Sequence, residues 1–201
     1  MKSTAWRYGF ASLILVLLVA PFLSGQGGGP SNFNSKLSGD GEVPAVSSKG
    51  GGEFRATVQN NNTEMAFSLE YNGLSGPATM AHIHFGQSFT TGGVVVHLCG
   101  SGGAAACPGA AGTVTGAIGA SRVVDATTQG ISAGEFAEVL AAIRAGNAYV
   151  NIHTTQSPPG EIRGQLKPGR GVTGDDAGDE EEEEGAGNGR GRGQGKGKGN
   201  Q

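Results

Sequence analysis

Gly52-Glu-Phe54-Arg-Ala56-Thr-Val58-Gln59, followed by Met65-Ala-Phe67-Ser-Leu69-Glu-Tyr71-Asn72-Gly73-Leu74, is the stretch that decides the fold. Apolar residues recur at every second position in both halves. On an extended chain that period places Phe54, Ala56 and Val58 on one face, and Met65, Phe67, Leu69 and Tyr71 on one face of the next strand. Asn72-Gly73 then marks a turn. Such alternation is the signature of half-buried strands rather than of a helix.

Further short apolar runs follow along the middle of the chain. Thr79–Phe85, Gly93–Leu98, Gly112–Ile118, Ala148–Thr154 and Glu161–Leu166 read as further short strands, and Pro44, Pro77, Pro108, Pro158 and Pro159 fall between them, where proline belongs. One helix interrupts the series. Ser132-Ala133-Gly134-Glu135 has the form of a capping box. Phe136, Val139, Leu140 and Ile143 follow at helical spacing, and Gly146 is placed to stop the helix. The helix is expected over 133–145. The fold expected is all-β, an antiparallel Greek-key-like β-sandwich with one short helix.

The two ends differ from this middle. Lys2 and Arg7 precede an apolar run from Ala11 to Leu23, too short for a membrane span of about 20 residues and suited to the core of a signal peptide. Residues 1–25 are expected to be that peptide, and 26–32 a Gly-rich linker. After Pro168 large apolar residues almost vanish, leaving an acidic block at 179–184 and then glycines alternating with Arg190, Arg192, Lys196 and Lys198. Residues 169–201 are expected to be a disordered tail, because they cannot bury enough apolar surface to offset ordering entropy. A net charge of −3 and the lack of aromatic residues among the basic positions argue against nucleic acid as a partner. The remaining 33–168, about 135 residues, suffices for one core. After cleavage no span is expected, and the protein is expected to be secreted or periplasmic.

Cys99 and Cys107 enclose a short Gly/Ala loop. In an oxidising compartment two isolated cysteines this close are most simply a disulfide. The other reading is a metal-binding thiol pair, for which the spacing is unusual.

Three phrases occur in order along the middle of the chain: Leu37-Ser-Gly-Asp-Gly-Glu42-Val-Pro44, Ala81-His82-Ile83-His84-Phe85-Gly86, and Tyr149-Val-Asn151-Ile-His153-Thr with Pro159-Gly-Glu161-Ile-Arg163-Gly-Gln-Leu166. Together they resemble the chordin (CHRD) domain over nearly all of 37–168. The resemblance implies a secreted β-rich domain, found as repeats in the growth-factor antagonist chordin and singly in many bacterial exported proteins. It does not imply growth-factor antagonism. That activity is attributed to cysteine-rich modules of von Willebrand type, and this chain carries none.

The histidines carry the remaining chemistry. His82 and His84 share one face of a strand, with Ala81, Ile83 and Phe85 on the other. His153 lies on a face with Tyr149 and Asn151. If these strands are neighbours, His82, His84 and His153 converge, with His97 as a possible fourth ligand, and imidazole suits copper or zinc. The order of these histidines also resembles, more faintly, the copper side of copper/zinc superoxide dismutase. The further His and Asp residues of that family's zinc site are absent, and Arg163 is similar to an anion-guiding arginine only by position. A different reading makes the imidazoles part of a structural polar network with Asn151, Glu161 and Arg163, the last two as an ion pair. A third, proton-transfer catalysis, has little behind it. No nucleophile elbow, phosphate-cradling glycine motif or carboxylate pair is present, so no catalytic residue is assigned and a non-enzymatic role is favoured. Two functions are carried forward. One is an exported module binding an extracellular or envelope protein or glycan. The other is a copper- or zinc-binding domain with possible superoxide dismutase-like redox activity.

Overall fold

The structure, a computed structural model, describes residues 28–169. The expected signal peptide (1–25), the first residues of the linker (26–27) and the tail from 170 lie outside the described residues. The strands are β1 (Asn32–Ser38), β2 (Gly51–Gln59), β3 (Glu64–Asn72), β4 (Ala78–Phe85), β5 (Gly93–Cys99), β6 (Gly112–Gly119), β7 (Ala148–Thr154), β8 (Ile162–Gln165) and β9 (Lys167–Pro168), with one helix, α1 (Phe136–Arg144), between β6 and β7. Every strand pair is antiparallel. The order is β5-β4-β7-β8-β1-β2-β3-β6, with β9 added to β1. The sheet curls until its edges approach, and Val96 of β5 bridges to Val123 just beyond β6. The two layers expected of a sandwich are therefore the two sides of one nearly closed, barrel-like sheet.

The alternation that identified the strands fills the interior. Phe54, Met65, Leu69, Ile83, Val150, Ile152 and Ile162 have no exposed surface and join one core cluster, and Phe54 stacks on Phe67 with ring centroids 5.8 Å apart. Burying side chains of this size contributes about 1.5–3 kcal/mol each. The helix adds Phe136, Val139, Leu140 and Ile143 to the same cluster, which is the stripe read from the sequence.

Three expectations need correction. The helix begins at Phe136 rather than 133, because Gly134 adopts φ +85° and turns the chain first. Only half of the capping box forms: the Glu135 carboxylate accepts from the Ser132 N–H at 2.7 Å, while the Ser132 hydroxyl caps nothing. The C-terminal stop is as expected, with Gly146 at φ +73° and Asn147 N–H donating to the Ala142 carbonyl at 2.9 Å. Second, β1 was not foreseen, although it lies inside the sheet between β8 and β2. Third, Glu161 and Arg163 do not pair; among the described residues the ion pair formed is Arg55–Glu53. Cys99 and Cys107 are disulfide-bonded. Among the described residues no helix is long and apolar enough to cross a membrane.

Glu161 instead ties three segments together. Its carboxylate is fully buried and accepts from Ser48 Oγ at 2.7 Å, Ser75 N–H at 2.8 Å, Ser75 Oγ at 2.7 Å and Thr154 Oγ1 at 2.6 Å. Burial pushes this carboxyl up, but the donors from Thr154, Ser75 and Ser48 outweigh it and hold it below the usual carboxylate range. Glu161→Ala strands these donors and is expected to lower unfolding free energy by about 3 kcal/mol. Urea titration checks this as a shifted midpoint with unchanged slope. Because the folded value is depressed, the contribution is present above the ordinary 4.5 and lost as pH falls through the folded value. The difference between wild type and Glu161→Ala should therefore shrink in acid. An unmoved midpoint at pH 7 contradicts the assignment.

Candidate metal centre

β4 and β7 are neighbours, and their register sets the site. His82 stands opposite Asn151, His84 opposite Tyr149, and Met80 opposite His153; one strand further, Asn151 faces Arg163 and Tyr149 faces Gln165. Ala81, Ile83, Val150 and Ile152 point into the core, so this polar set lies on the outer face of the barrel. An outer face is normally wet, yet His82, His84, Asn151, His153 and Arg163 are all buried. Loops roof them. The 86–92 loop is held by Arg163 Nη2 donating to the Gln87 carbonyl at 3.0 Å and by Gly92 N–H donating to Tyr149 Oη at 3.2 Å. The loop closed by the Cys99–Cys107 disulfide brings in Ser101, and the turn after β7 brings in Pro158.

Each imidazole is tied at one nitrogen. His84 Nδ1 lies 2.9 Å from the Gly92 carbonyl, and His153 Nδ1 lies 2.9 Å from the Pro158 carbonyl. A carbonyl can only accept, so both Nδ1 atoms carry the hydrogen and both Nε2 atoms present lone pairs. His153 Nε2 faces His82 Nδ1 at 3.2 Å, and His82 Nε2 faces Ser101 Oγ at 2.9 Å. His84 Nε2 is buried with no partner among the described residues. One ligand nitrogen from each of His82, His84 and His153 falls within 4.8 Å of the others. Ligands of a tetrahedral ion at about 2.0–2.1 Å stand roughly 3.4 Å apart, so the set closes on an ion by ring movements of about 1 Å.

His97 does not join the three. It stands opposite His82 on β5, half-buried, with Nδ1 bonded to Ser101 Oγ at 2.7 Å. Asn151 and Arg163 lie beside the imidazoles, whereas Glu161 belongs to the separate hydroxyl cluster. Arg163 stacks 3.4 Å over the Tyr149 ring, and Tyr149 lies parallel to His84 with centroids 4.7 Å apart. Ser101 and Glu42 were not assigned roles from the sequence. Ser101 carries no local signal beyond its place inside the cysteine loop, and Glu42 was legible only as part of a family phrase.

The electrostatics keep the imidazoles neutral. Burial pushes His82 down to about 3, helped by the neighbouring His153, His84 and His97. Burial also lowers His84, with the Gly92 carbonyl working against it, and lowers His153 against the Pro158 carbonyl. His97 is lowered by burial and by Arg122. Neutral imidazole is the form that binds a metal ion. Beside them, burial raises Glu42 to about 7, opposed by the charge of Arg163 and by Asn151.

A family model described as the CHRD domain matches residues 33–166. No curated protein and no solved structure matches the chain.

The pH dependence of stability follows with two opposite signs. For the histidines the folded values lie below the ordinary 6.5, so the unfolded chain binds more protons and their contribution is lost as pH falls below that value. Glu42 is raised above its ordinary 4.5, so its contribution is present below 4.5 and lost as pH rises through about 7. Glu42→Gln removes the second effect and leaves the first. The stability of metal-free Glu42→Gln is expected to climb more steeply from pH 4.5 to 7 than that of wild type, as measured by chemical denaturation. Equal slopes contradict this electrostatic picture.

Proposed function

The chain belongs to the CHRD domain family, and from that premise we propose that it is an exported domain that holds one copper or zinc ion on the outer face of its barrel through His82, His84 and His153. One observation carries this reading. Three neutral imidazoles present nitrogens within 4.8 Å of one another, while their remaining ring nitrogens are fixed by Gly92, Pro158 and Ser101. Metal-binding histidines commonly have their second nitrogen held this way, which fixes ring orientation and tautomer. The all-nitrogen donor set suits copper or zinc rather than calcium or magnesium. Both cysteines are bonded to each other, so thiolate is not a competing ligand among the described residues. Three protein ligands leave a fourth position for water or a small ligand. Export is supported by the disulfide, which is at home in an oxidising compartment, and by the leader read from residues 1–25.

A second reading, a module that docks an extracellular or envelope protein or glycan, is favoured by Phe89. Its ring is 88% exposed at the tip of the 86–92 loop, in a backbone conformation of φ +63°. Exposed aromatic side chains are frequent anchors of binding surfaces.

The metal reading is tested by titrating purified, metal-free protein with zinc and with copper. One equivalent is expected to bind, with affinity that falls in acid as protons compete for the imidazoles. His82→Ala/His84→Ala is expected to lose binding, whereas His97→Ala retains it. Failure of the unmutated protein to take up either ion overturns the proposal.

A further inference from the structure

Resting on that metal reading, we propose that Ser101 couples the metal centre to His97, so that the tautomer of a half-exposed histidine that is not a ligand reports whether the ion is bound. The chain of contacts is His153 Nε2–His82 Nδ1 at 3.2 Å, His82 Nε2–Ser101 Oγ at 2.9 Å and Ser101 Oγ–His97 Nδ1 at 2.7 Å.

Its direction without metal is fixed from one end. The Pro158 carbonyl requires the hydrogen of His153 on Nδ1, so His153 Nε2 can only accept. His82 therefore carries its hydrogen on Nδ1, and its Nε2 accepts from the Ser101 hydroxyl. The Ser101 oxygen in turn accepts from His97 Nδ1–H. An ion bound by His153 Nε2 and by His82 Nδ1, once that nitrogen has lost its hydrogen, replaces the first link and reverses the other two. His82 then carries its hydrogen on Nε2 and donates to Ser101, the hydroxyl hydrogen turns to His97 Nδ1, and His97 carries its hydrogen on Nε2. One proton leaves to water at His82 Nδ1 and one is taken from water at His97 Nε2, so all three side chains stay neutral and the count balances. A hydroxyl is suited to this place because it both donates and accepts and can rotate between the two.

The loop is built to hold Ser101 there. The Cys99–Cys107 disulfide closes it, and Gly100 N–H donates to the Ala105 carbonyl at 2.7 Å. Gly102, at φ +59°, lies against the His97 ring so closely that any side chain there would overlap it. Gly100, at φ +79°, lies equally tight against the Thr79 carbonyl on β4.

Zinc, which is diamagnetic, allows a test on full-length ¹⁵N-labelled protein by two-bond ¹H–¹⁵N correlation of the imidazoles. In step with metal shifts at His82, His84 and His153, His97 is expected to switch from the Nδ1–H to the Nε2–H pattern. Ser101→Ala is expected to abolish the His97 switch and weaken zinc binding about 10–100-fold, the usual cost of losing a hydrogen bond behind a ligand. Ser101→Thr, which keeps the hydroxyl, restores both. The amide spectrum of each variant checks that the fold is intact. Metal shifts at the three ligands with an unchanged His97, or a His97 switch that survives in Ser101→Ala, overturn the coupling and leave the metal reading standing. Absence of metal shifts at the three ligands overturns both.

Discussion

His82 stands opposite Asn151 and His84 opposite Tyr149 because β4 and β7 pair in a single antiparallel register, and the site exists only in that register. A slip of one residue would turn Ala81, Ile83, Val150 and Ile152 out of the core and the imidazoles into it. The apolar cluster therefore fixes where the three imidazoles stand. Irregularity is confined to the ends of this pairing: the β4–β7 register shifts between Ala78 and Met80, next to the position that carries His153.

A polar face on the outside of a barrel has no intrinsic reason to be dry. Here the loops cover it, and each covering loop is tied down by the side chains it covers. Gly92 and Gln87 are held by His84, Tyr149 and Arg163, Pro158 by His153, and Ser101 by His82 and His97. Burying polar groups costs about 1–3 kcal/mol for each that lacks a partner. Glu161 meets that cost with four donors. The outer face beside it does not, for His84 Nε2, Asn151 Oδ1 and Glu42 Oε1 are buried with no hydrogen-bond partner among the described residues. In the proposed metal-bound form, a cation, or a water molecule bound to one, supplies what they lack.

Much of this architecture was legible because its signals are local. Alternating apolar residues identified β2 and β3, and short runs between prolines and glycines identified β4 through β8, all to within two residues at each end, and Phe136, Val139, Leu140 and Ile143 identified the helix. The CHRD phrases matched the family and marked the strands that carry His82, His84 and His153. What was not legible depends on contacts distant in sequence. β1 hides its alternation because Ser35 stands between Phe33 and Leu37 on the buried face, amid Asn32, Asn34 and Lys36. The His-x-His strand showed that two imidazoles share a face, and the strand order decided that His153 joins them. His97 was indistinguishable from a ligand until the disulfide loop placed Ser101 between it and His82. Glu161 and Arg163 alternate as an ion pair would, but Ser48, Ser75 and Thr154 take the first, while Gln87 on a roofing loop takes the second.

The central claim is that a transition-metal ion sits among three imidazoles on a loop-covered outer face. X-ray absorption at the zinc edge of protein loaded with one equivalent addresses it most directly, because the spectrum counts and types the atoms around the ion. The account predicts about three imidazole nitrogens near 2.0–2.1 Å with one further nitrogen or oxygen atom and no sulfur. A shell made of oxygen alone, or fewer than two imidazoles, would contradict it.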